Sequence, residues 1–184
     1  RVLGRIAVTL PELFEIAAPG QFTACDLGEV VSVDDPETMG RVQVRLFTFD
    51  GVSDQDAPIW ARVATSSAGA DRGTFFLPDV GDEVLVTFVK GDSRLPVVIG
   101  GLWNGNAQPP ETLGGSGDSV DRWTFVGKAG TRIAIVEENA GDATISFSTP
   151  GGVSGELTDS DGGKIELIAA GTTITVDSSG VNIQ

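Results

Sequence analysis

The sequence contains no histidine, no tyrosine and only one cysteine among its 184 residues. Without histidine, the chain cannot form a Ser-His-Asp triad, a histidine-ligated zinc site or a histidine proton shuttle. The single cysteine, Cys25, excludes an intrachain disulfide and a Cys-x-x-Cys metal site, and we expect it to be a small core residue. The absent residues leave packing as the source of stability and exclude several common kinds of catalytic site.

Basic residues are also scarce. The chain has 12 Lys and Arg against 26 Asp and Glu, which gives a formal charge of −14. Nucleic-acid backbones and anionic membrane surfaces attract clustered Lys and Arg, so we predict that neither is a binding partner. No apolar run approaches the ~20 residues that span a bilayer. Residues 1–10, which Pro11 follows, are predicted to be neither a signal peptide nor an anchor.

Patterns typical of catalytic or metal sites are weak. Acidic pairs occur in polar turns, where solvated carboxylates are expected: Asp34/Asp35, Asp54/Asp56, Glu137/Glu138 and Asp159/Asp161. Residues 159–163 (DSDGG) lack the third oxygen ligand and the bidentate Glu of a calcium loop. The tryptophans Trp60, Trp103 and Trp123 are expected to pack in the core or at a domain seam. The sequence therefore predicts no catalytic residue, no metal, no cofactor and no enzyme activity.

Proline and glycine divide the chain into two parts. Residues 1–110 hold 8 of the 9 prolines and 12 of the 25 glycines, whereas residues 111–184 hold 13 glycines and one proline. The best helix candidate is residues 11–18. Strands are predicted at residues 29–33, 42–46, 59–65, 74–77, 83–90 and 97–102. Five or six strands in about 80 residues, joined by tight turns, indicate a small closed barrel.

The second part predicts shorter strands and contains an internal repeat. The strands are predicted at residues 123–125, 132–136, 143–149, 164–168, 172–176 and 181–183. Residues 130–136 resemble residues 162–168 at an offset of 32, and residues 143–147 resemble residues 172–176 at an offset of 29. Repetition of this kind indicates a stacked architecture in which each unit contacts its neighbours.

These short strands carry more apolar side chains than one chain of this length can cover. An uncovered apolar face favours association, so we predict three chains sharing one apolar axis. The predicted trimer core consists of Ile133, Ile135, Ile145, Phe147, Ile165, Leu167, Ile174, Val176, Val181 and Ile183.

Ordered motifs between residues 28 and 106 carry a family resemblance. They are residues 40–46 (GRVQVRL), 60–64 (WARVA), 76–86 (FLPDVGDEVLV), 91–100 (GDSRLPVVIG) and 103–105 (WNG). In order and spacing they resemble the central spike of contractile injection systems, that is, phage baseplate assembly protein V and VgrG-type spikes. The second part of the chain is similar to the needle of that family, although less specifically.

The resemblance implies an all-β fold, an OB-type barrel followed by a trimeric interwound β-prism or β-helix needle. It places the barrel at residues 28–106, a linker at 107–122 and the needle at 123–184. Residues 1–27 match no part of the family, and docking to the hub is a hypothesis for this N-terminal segment. The implied partners are baseplate hub and tail-tube proteins, a PAAR-like tip protein at Ile183 and Gln184, and transiently the target membrane.

By the same resemblance, the spike pierces the target envelope mechanically when a sheath contracts. The implied location is a phage tail baseplate or a related extracellular or cytoplasmic contractile particle, assembled in the bacterial cytoplasm. Two alternatives stay open. A trimeric β-helical adhesin or glycan-binding tailspike has a similar tail, and an OB barrel can bind single-stranded nucleic acid where it has a basic, aromatic groove.

Overall fold

The computed structural model describes residues 25–51, 57–139 and 141–184, and this part of the chain consists of β-strands, turns and three short 3₁₀ turns. The all-β class is therefore confirmed. The chain divides into two compact units between Gln108 and Pro109. The helix predicted at residues 11–18, and the docking segment up to residue 24, lie outside the described residues.

The first unit is a closed five-stranded barrel. Its region contains β1 (Asp26–Ser32), β2 (Val42–Leu46), β3 (Ile59–Val63), β4 (Ala68–Gly69), β5 (Arg72–Gly73), β6 (Glu83–Phe88) and β7 (Pro96–Leu102). The barrel closes in the order β1-β2-β3-β7-β6, while β4 and β5 form a separate two-stranded ribbon. All barrel pairs are antiparallel except β3 with β7. This partly mixed, closed arrangement is the OB-type fold.

Period-two alternation of apolar residues produces the barrel core. The inward positions of β2 and β6 are apolar, while polar side chains alternate with them along β2. Six valines are almost wholly buried and form the centre of the core: Val30, Val42, Val44, Val84, Val86 and Val98. Glycine is required at residue 28, where β1 pairs closely with β2, because a Cβ there would lie 2.5 Å from Cγ1 of Val44 and 2.7 Å from the carbonyl oxygen of Arg45.

The second unit is a seven-stranded antiparallel sheet. Its strands are β8 (Arg122–Val126), β9 (Arg132–Val136), β10 (Thr144–Ser148), β11 (Ser154–Thr158), β12 (Lys164–Ala169), β13 (Thr172–Asp177) and β14 (Gly180–Ile183). Each strand pairs with the next one in the chain, so the sheet is a simple meander. The two residues between β12 and β13, Ala170 and Gly171, both have positive φ, as a type I′ hairpin turn requires.

Two strand predictions differ from the structure. Residues 74–77 do not form a strand, because after a hydrogen bond from Thr74 N to Ser67 O (2.9 Å) the chain leaves the ribbon and exposes Phe75 and Phe76. Strand β11 is missing from the predicted strands, because Leu157 is its only large apolar residue. It forms because β10 and β12 pair with it along its whole length.

Candidate assembly site

One side of the seven-stranded sheet is apolar along its whole width, and we call it the apolar face. Cross-strand register aligns its residues in two rows. The first row is Trp123, Ile135, Ile145, Leu157, Ile165, Val176 and Val181. The second row is Phe125, Ile133, Phe147, Gly155, Leu167, Ile174 and Ile183. Each row crosses all seven strands, so the face is continuous.

Among the described residues of the chain, none covers the apolar face. Twelve of its fourteen positions carry side chains that are between 37% and 69% exposed. Full burial of a large aliphatic or aromatic side chain contributes roughly 1.5–3 kcal/mol relative to exposure. A continuous apolar patch of this extent on one side of a sheet marks an interaction surface. The arrangement can therefore bind a second apolar surface.

The opposite side of the sheet is polar. Its central row contains Ser146, Glu156, Glu166 and Thr175 in register. Lys164 lies beside this row, with its Nζ 3.5 Å from Oε2 of Glu166. The polar side is thus suited to contact with water. Of the two sides of the sheet, the apolar face is the one suited to binding another protein surface.

An ion-pair cluster holds the segment before β8 against the polar side of the sheet. The Glu111 carboxylate accepts a hydrogen bond from Arg132 Nε, and its Oε2 lies 3.6 Å from Arg122 Nη1. Arg132 lowers the pKa of Glu111, and Arg122 also pairs with Glu138. These contacts anchor β8 and β9 at one edge of the sheet and leave the apolar face open.

The structure places all ten predicted trimer-core residues on the apolar face. It adds four residues that the prediction missed: Trp123, Phe125, Gly155 and Leu157. Trp123 and Phe125 alternate with polar neighbours, so their period of two was a usable signal. Gly155 gave none, because it has no side chain. The trimer itself stays a prediction.

The internal repeat maps onto equivalent strand pairs. Residues 130–136 and 162–168 overlap β9 and β12, and residues 143–147 and 172–176 overlap β10 and β13. Repeated strands lie three positions apart in the meander, so they run in opposite directions. Ile133 therefore lies in the second row and its counterpart Ile165 in the first. Equivalent residues of the repeat thus lie on the same face of the sheet but in different rows.

The residues predicted to bind a tip protein lie at the last strand of the sheet. Ile183 ends the second row and is exposed. Gln184 follows it and exchanges backbone hydrogen bonds with Thr173, at 2.9 and 3.0 Å. β14 has a partner only on its β13 side, so its outer edge is open among the residues that the structure describes.

The predicted acidic pairs hold the structure together or lie in solvent. Asp35 accepts hydrogen bonds from the backbone N–H groups of Glu37, Met39 and Arg41 at 2.9–3.1 Å, and its Oδ1 lies 2.7 Å from Arg41 Nη2. These donors, chiefly the Arg41 guanidinium, hold the pKa of Asp35 well below its ordinary value. Asp54 and Asp56 lie outside the described residues. No group of side chains that could hold a metal ion occurs in the described ranges.

One prediction about a single residue is wrong: Cys25, which directly precedes β1, is exposed rather than in the core. Trp103 is 68% exposed, so it does not pack in the barrel core. Trp60 is half-buried, and the guanidinium carbon of Arg41 lies 5.5 Å from its ring centre.

Within the described segments, no helix is long and apolar enough to cross a membrane.

Comparison with known proteins identifies relatives of the barrel. Residues 26–103 match the family described as the type VI secretion system/phage-baseplate injector OB domain. VgrG2a and VgrG2b, two type VI secretion system spike proteins of Pseudomonas aeruginosa, are each 33% identical over 113 residues, which is 60% of this chain. The actin cross-linking toxin VgrG1 of Vibrio cholerae is 33% identical over 88 residues, or 47% of this chain.

These relatives are much longer proteins. The chain spans 12% of VgrG2a, 10% of VgrG2b and 8% of VgrG1. The similarity therefore concerns the injector barrel and its surroundings, and the activities of the complete relatives belong to those proteins.

Proposed function

The barrel at residues 26–103 belongs to the injector OB-domain family of type VI secretion systems and phage baseplates, and from this premise we propose that the chain is part of a trimeric central spike. Its role is mechanical: the barrel forms the base, and the sheet from three copies forms a needle that pierces the target envelope when a sheath contracts. The chain acts as a structural protein rather than an enzyme, without a metal or cofactor.

The observation that carries this proposal is the uncovered apolar face. A sheet with one apolar and one polar side is stable in water when its apolar side meets another apolar surface. Further copies of the same chain supply such a surface, because each copy has an apolar face of the same seven-strand width. Three copies place their apolar faces around one axis and their polar sides outwards. The number three follows the resemblance to the spike family.

The dimensions of the sheet suit this role. Seven strands spaced about 4.8 Å apart extend roughly 29 Å across the strands. This extent is close to the ~30 Å hydrocarbon core of a bilayer. A continuous ladder of backbone hydrogen bonds runs in that direction, from β8 to β14. Axial load would therefore be carried by every strand pair in turn.

The charge of the chain supports driven rather than spontaneous penetration. Three copies with a formal charge of −14 each carry −42. Such an assembly is not attracted to anionic lipids, so the work of piercing comes from contraction of the sheath. A dye-release assay tests this: when purified protein is added to anionic liposomes loaded with a fluorescent dye, we expect the dye to stay inside. Dye release without contraction would contradict mechanical piercing.

The proposed partners follow from the resemblance to the spike family. We assign baseplate hub and tail-tube proteins to the barrel, with residues 1–27 as the docking segment. A PAAR-like tip protein is assigned to the last strand of the sheet, at Ile183 and Gln184. The proposed location is a phage tail baseplate or a related contractile particle, assembled in the bacterial cytoplasm.

The mass of the assembly in solution tests the proposal directly. Three copies of a 19.0 kDa chain give about 57 kDa by light scattering. We expect this mass, and we expect the trimer to resist SDS without heating because each chain contacts both of its neighbours. A folded 19.0 kDa monomer at micromolar concentration would reject the needle.

A further inference from the structure

The central strand of the sheet carries a glycine in the middle of the apolar face. Gly155 lies on β11, the fourth of seven strands, in the second row between Phe147 of β10 and Leu167 of β12. Its φ is not in the left-handed region, so the backbone there does not require glycine. A glycine inside a strand weakens it unless another group occupies the space. The side chains of the neighbouring strands, β10 and β12, explain why residue 155 is a glycine.

Side chains from both neighbouring strands occupy the space above Gly155. A Cβ at this position would lie 2.4 Å from Cε1 and from Cζ of Phe147, and 2.8 Å from Cδ2 of Leu167. Non-bonded carbon atoms essentially never come this close to a Cβ, so a side chain at residue 155 requires the Phe147 ring to move. The ring thus lies across the sheet, over the glycine, instead of standing away from it. An aromatic side chain that covers a strand glycine in this way restores packing to the sheet.

Covering by an aromatic ring distinguishes Gly155 from Gly28 on β1 and Gly100 on β7, which are also strand glycines without left-handed φ. At Gly28 a Cβ would meet Cγ1 of Val44 and the carbonyl oxygen of Arg45, whereas at Gly100 it would have no neighbouring atom within 4 Å. Neither of these two glycines has an aromatic ring among its nearest atoms. The remaining aromatic residues of the apolar face, Trp123 and Phe125, lie on β8 at the edge of the sheet. Phe147 is the aromatic residue of this face that lies next to the centre.

We propose that Gly155 and Phe147 together set how closely the apolar faces of neighbouring copies approach, which makes them specificity-determining residues of the assembly. This inference rests on the proposed trimer. With glycine at residue 155, the Phe147 ring lies against the sheet. The side chains of the apolar face then project from the sheet to a similar distance. With a side chain there, the ring stands towards the shared axis, where the three rings collide and separate the sheets.

The test compares three variants by native mass and by the dissociation constant of the assembly. Gly155→Ala is expected to weaken association about tenfold or more, because coupled packing changes of this kind correspond to such factors. Adding Phe147→Leu to Gly155→Ala removes the ring that collides and is expected to recover most of the loss. Gly100→Ala is the matched control, since its new methyl group meets open space. It should leave the dissociation constant unchanged.

The outcomes separate this inference from the proposed function. A wild-type monomer rejects the trimer and with it the inference. A wild-type trimer that Gly155→Ala leaves equally tight, or weakens equally with and without the Phe147 ring, rejects the inference alone. If Gly155→Ala does not fold, Phe147→Leu alone decides. It uncovers Gly155 and should change the dissociation constant measurably, whereas an unchanged constant overturns the assigned role of the ring.

Discussion

The barrel and the seven-stranded sheet use similar strands to reach opposite results. Both consist of short, mainly antiparallel strands in which apolar and polar residues alternate. In the barrel the apolar side faces inwards, and Val44 and Val84 are wholly buried. In the sheet the equivalent side chains, such as Ile145, remain half exposed. The difference between the two units is that the barrel sheet closes on itself and the seven-stranded sheet stays open.

The comparison shows where each unit finds its stability. A closed sheet covers its own apolar side, so the barrel core is complete within one chain. An open meander covers its apolar side only against another surface, so its stability includes association. Barrel variants should therefore have effects that do not depend on protein concentration. Variants of the apolar face should have effects that do.

The largest expected effect is the loss of assembly from one charge on the apolar face. Ile145→Lys places an ammonium group in the centre of the shared core, and we expect the native mass to fall from the trimer to the monomer. The control is Ser146→Lys, on the same strand but facing the polar side opposite Glu156. It should keep the trimer mass. Equal masses for the two variants would remove the distinction between the faces.

A smaller effect is expected from truncation in the barrel core. Val84→Ala removes two buried methyl groups and leaves a cavity, which should lower the free energy of unfolding by about 2 kcal/mol. Urea denaturation in a Trp103→Phe/Trp123→Phe background, where Trp60 is the remaining tryptophan, measures this loss by fluorescence. The loss should be the same at different protein concentrations. Val89→Ala, at an exposed position, is the control and should change little. A loss that grows on dilution would show that the barrel, too, depends on assembly.

The third prediction concerns the loop between β1 and β2. The pKa of Asp35 is lowered in the folded barrel, so its ionised form stabilises the fold above about pH 4, and this stabilisation is lost as the pH falls. Asp35→Asn removes the ion pair with Arg41 at every pH. The variant should therefore be clearly less stable than wild type near pH 7 and approach it near about pH 2. A difference in urea midpoint that is independent of pH would contradict this.

The smallest effect is expected at an exposed ion pair. Asp92 and Arg94 lie in a turn, with 2.7 Å between Oδ2 and Nη2, and Arg94 lowers the pKa of Asp92 to about 2. The Arg94 side chain is almost fully exposed, so water and salt screen the pair. We expect Arg94→Ala to leave the urea midpoint unchanged within error. A clear destabilisation would mean that this turn is buried in the assembly.

The sequence predicted the strands and the inward residues better than it predicted the isolated side chains. Alternation located β2, β6, β9 and β12, because burial on one side of a strand requires it. It did not locate β11, where Gly155 interrupts the pattern. Cys25 was expected to be a core residue and is exposed. Trp103 was expected to pack in the core or at a domain seam because it ends a predicted strand, and its side chain is largely exposed. Residue type gives an average tendency to be buried, whereas position in the fold decides the individual case.

The sequence by itself determined the class of the protein: all-β, acidic, without histidine chemistry, with a barrel followed by short repeated strands. These properties depend on composition and on a period of two, which are local. The tertiary structure alone decided that the barrel closes through the parallel pairing of β3 with β7, and that fourteen residues align in two rows. It also decided that the Phe147 ring covers Gly155. Closure of the barrel joins strands that are not consecutive in the chain, and the two rows depend on the geometry of each turn between consecutive strands. Alternation of apolar residues alone therefore does not give either result.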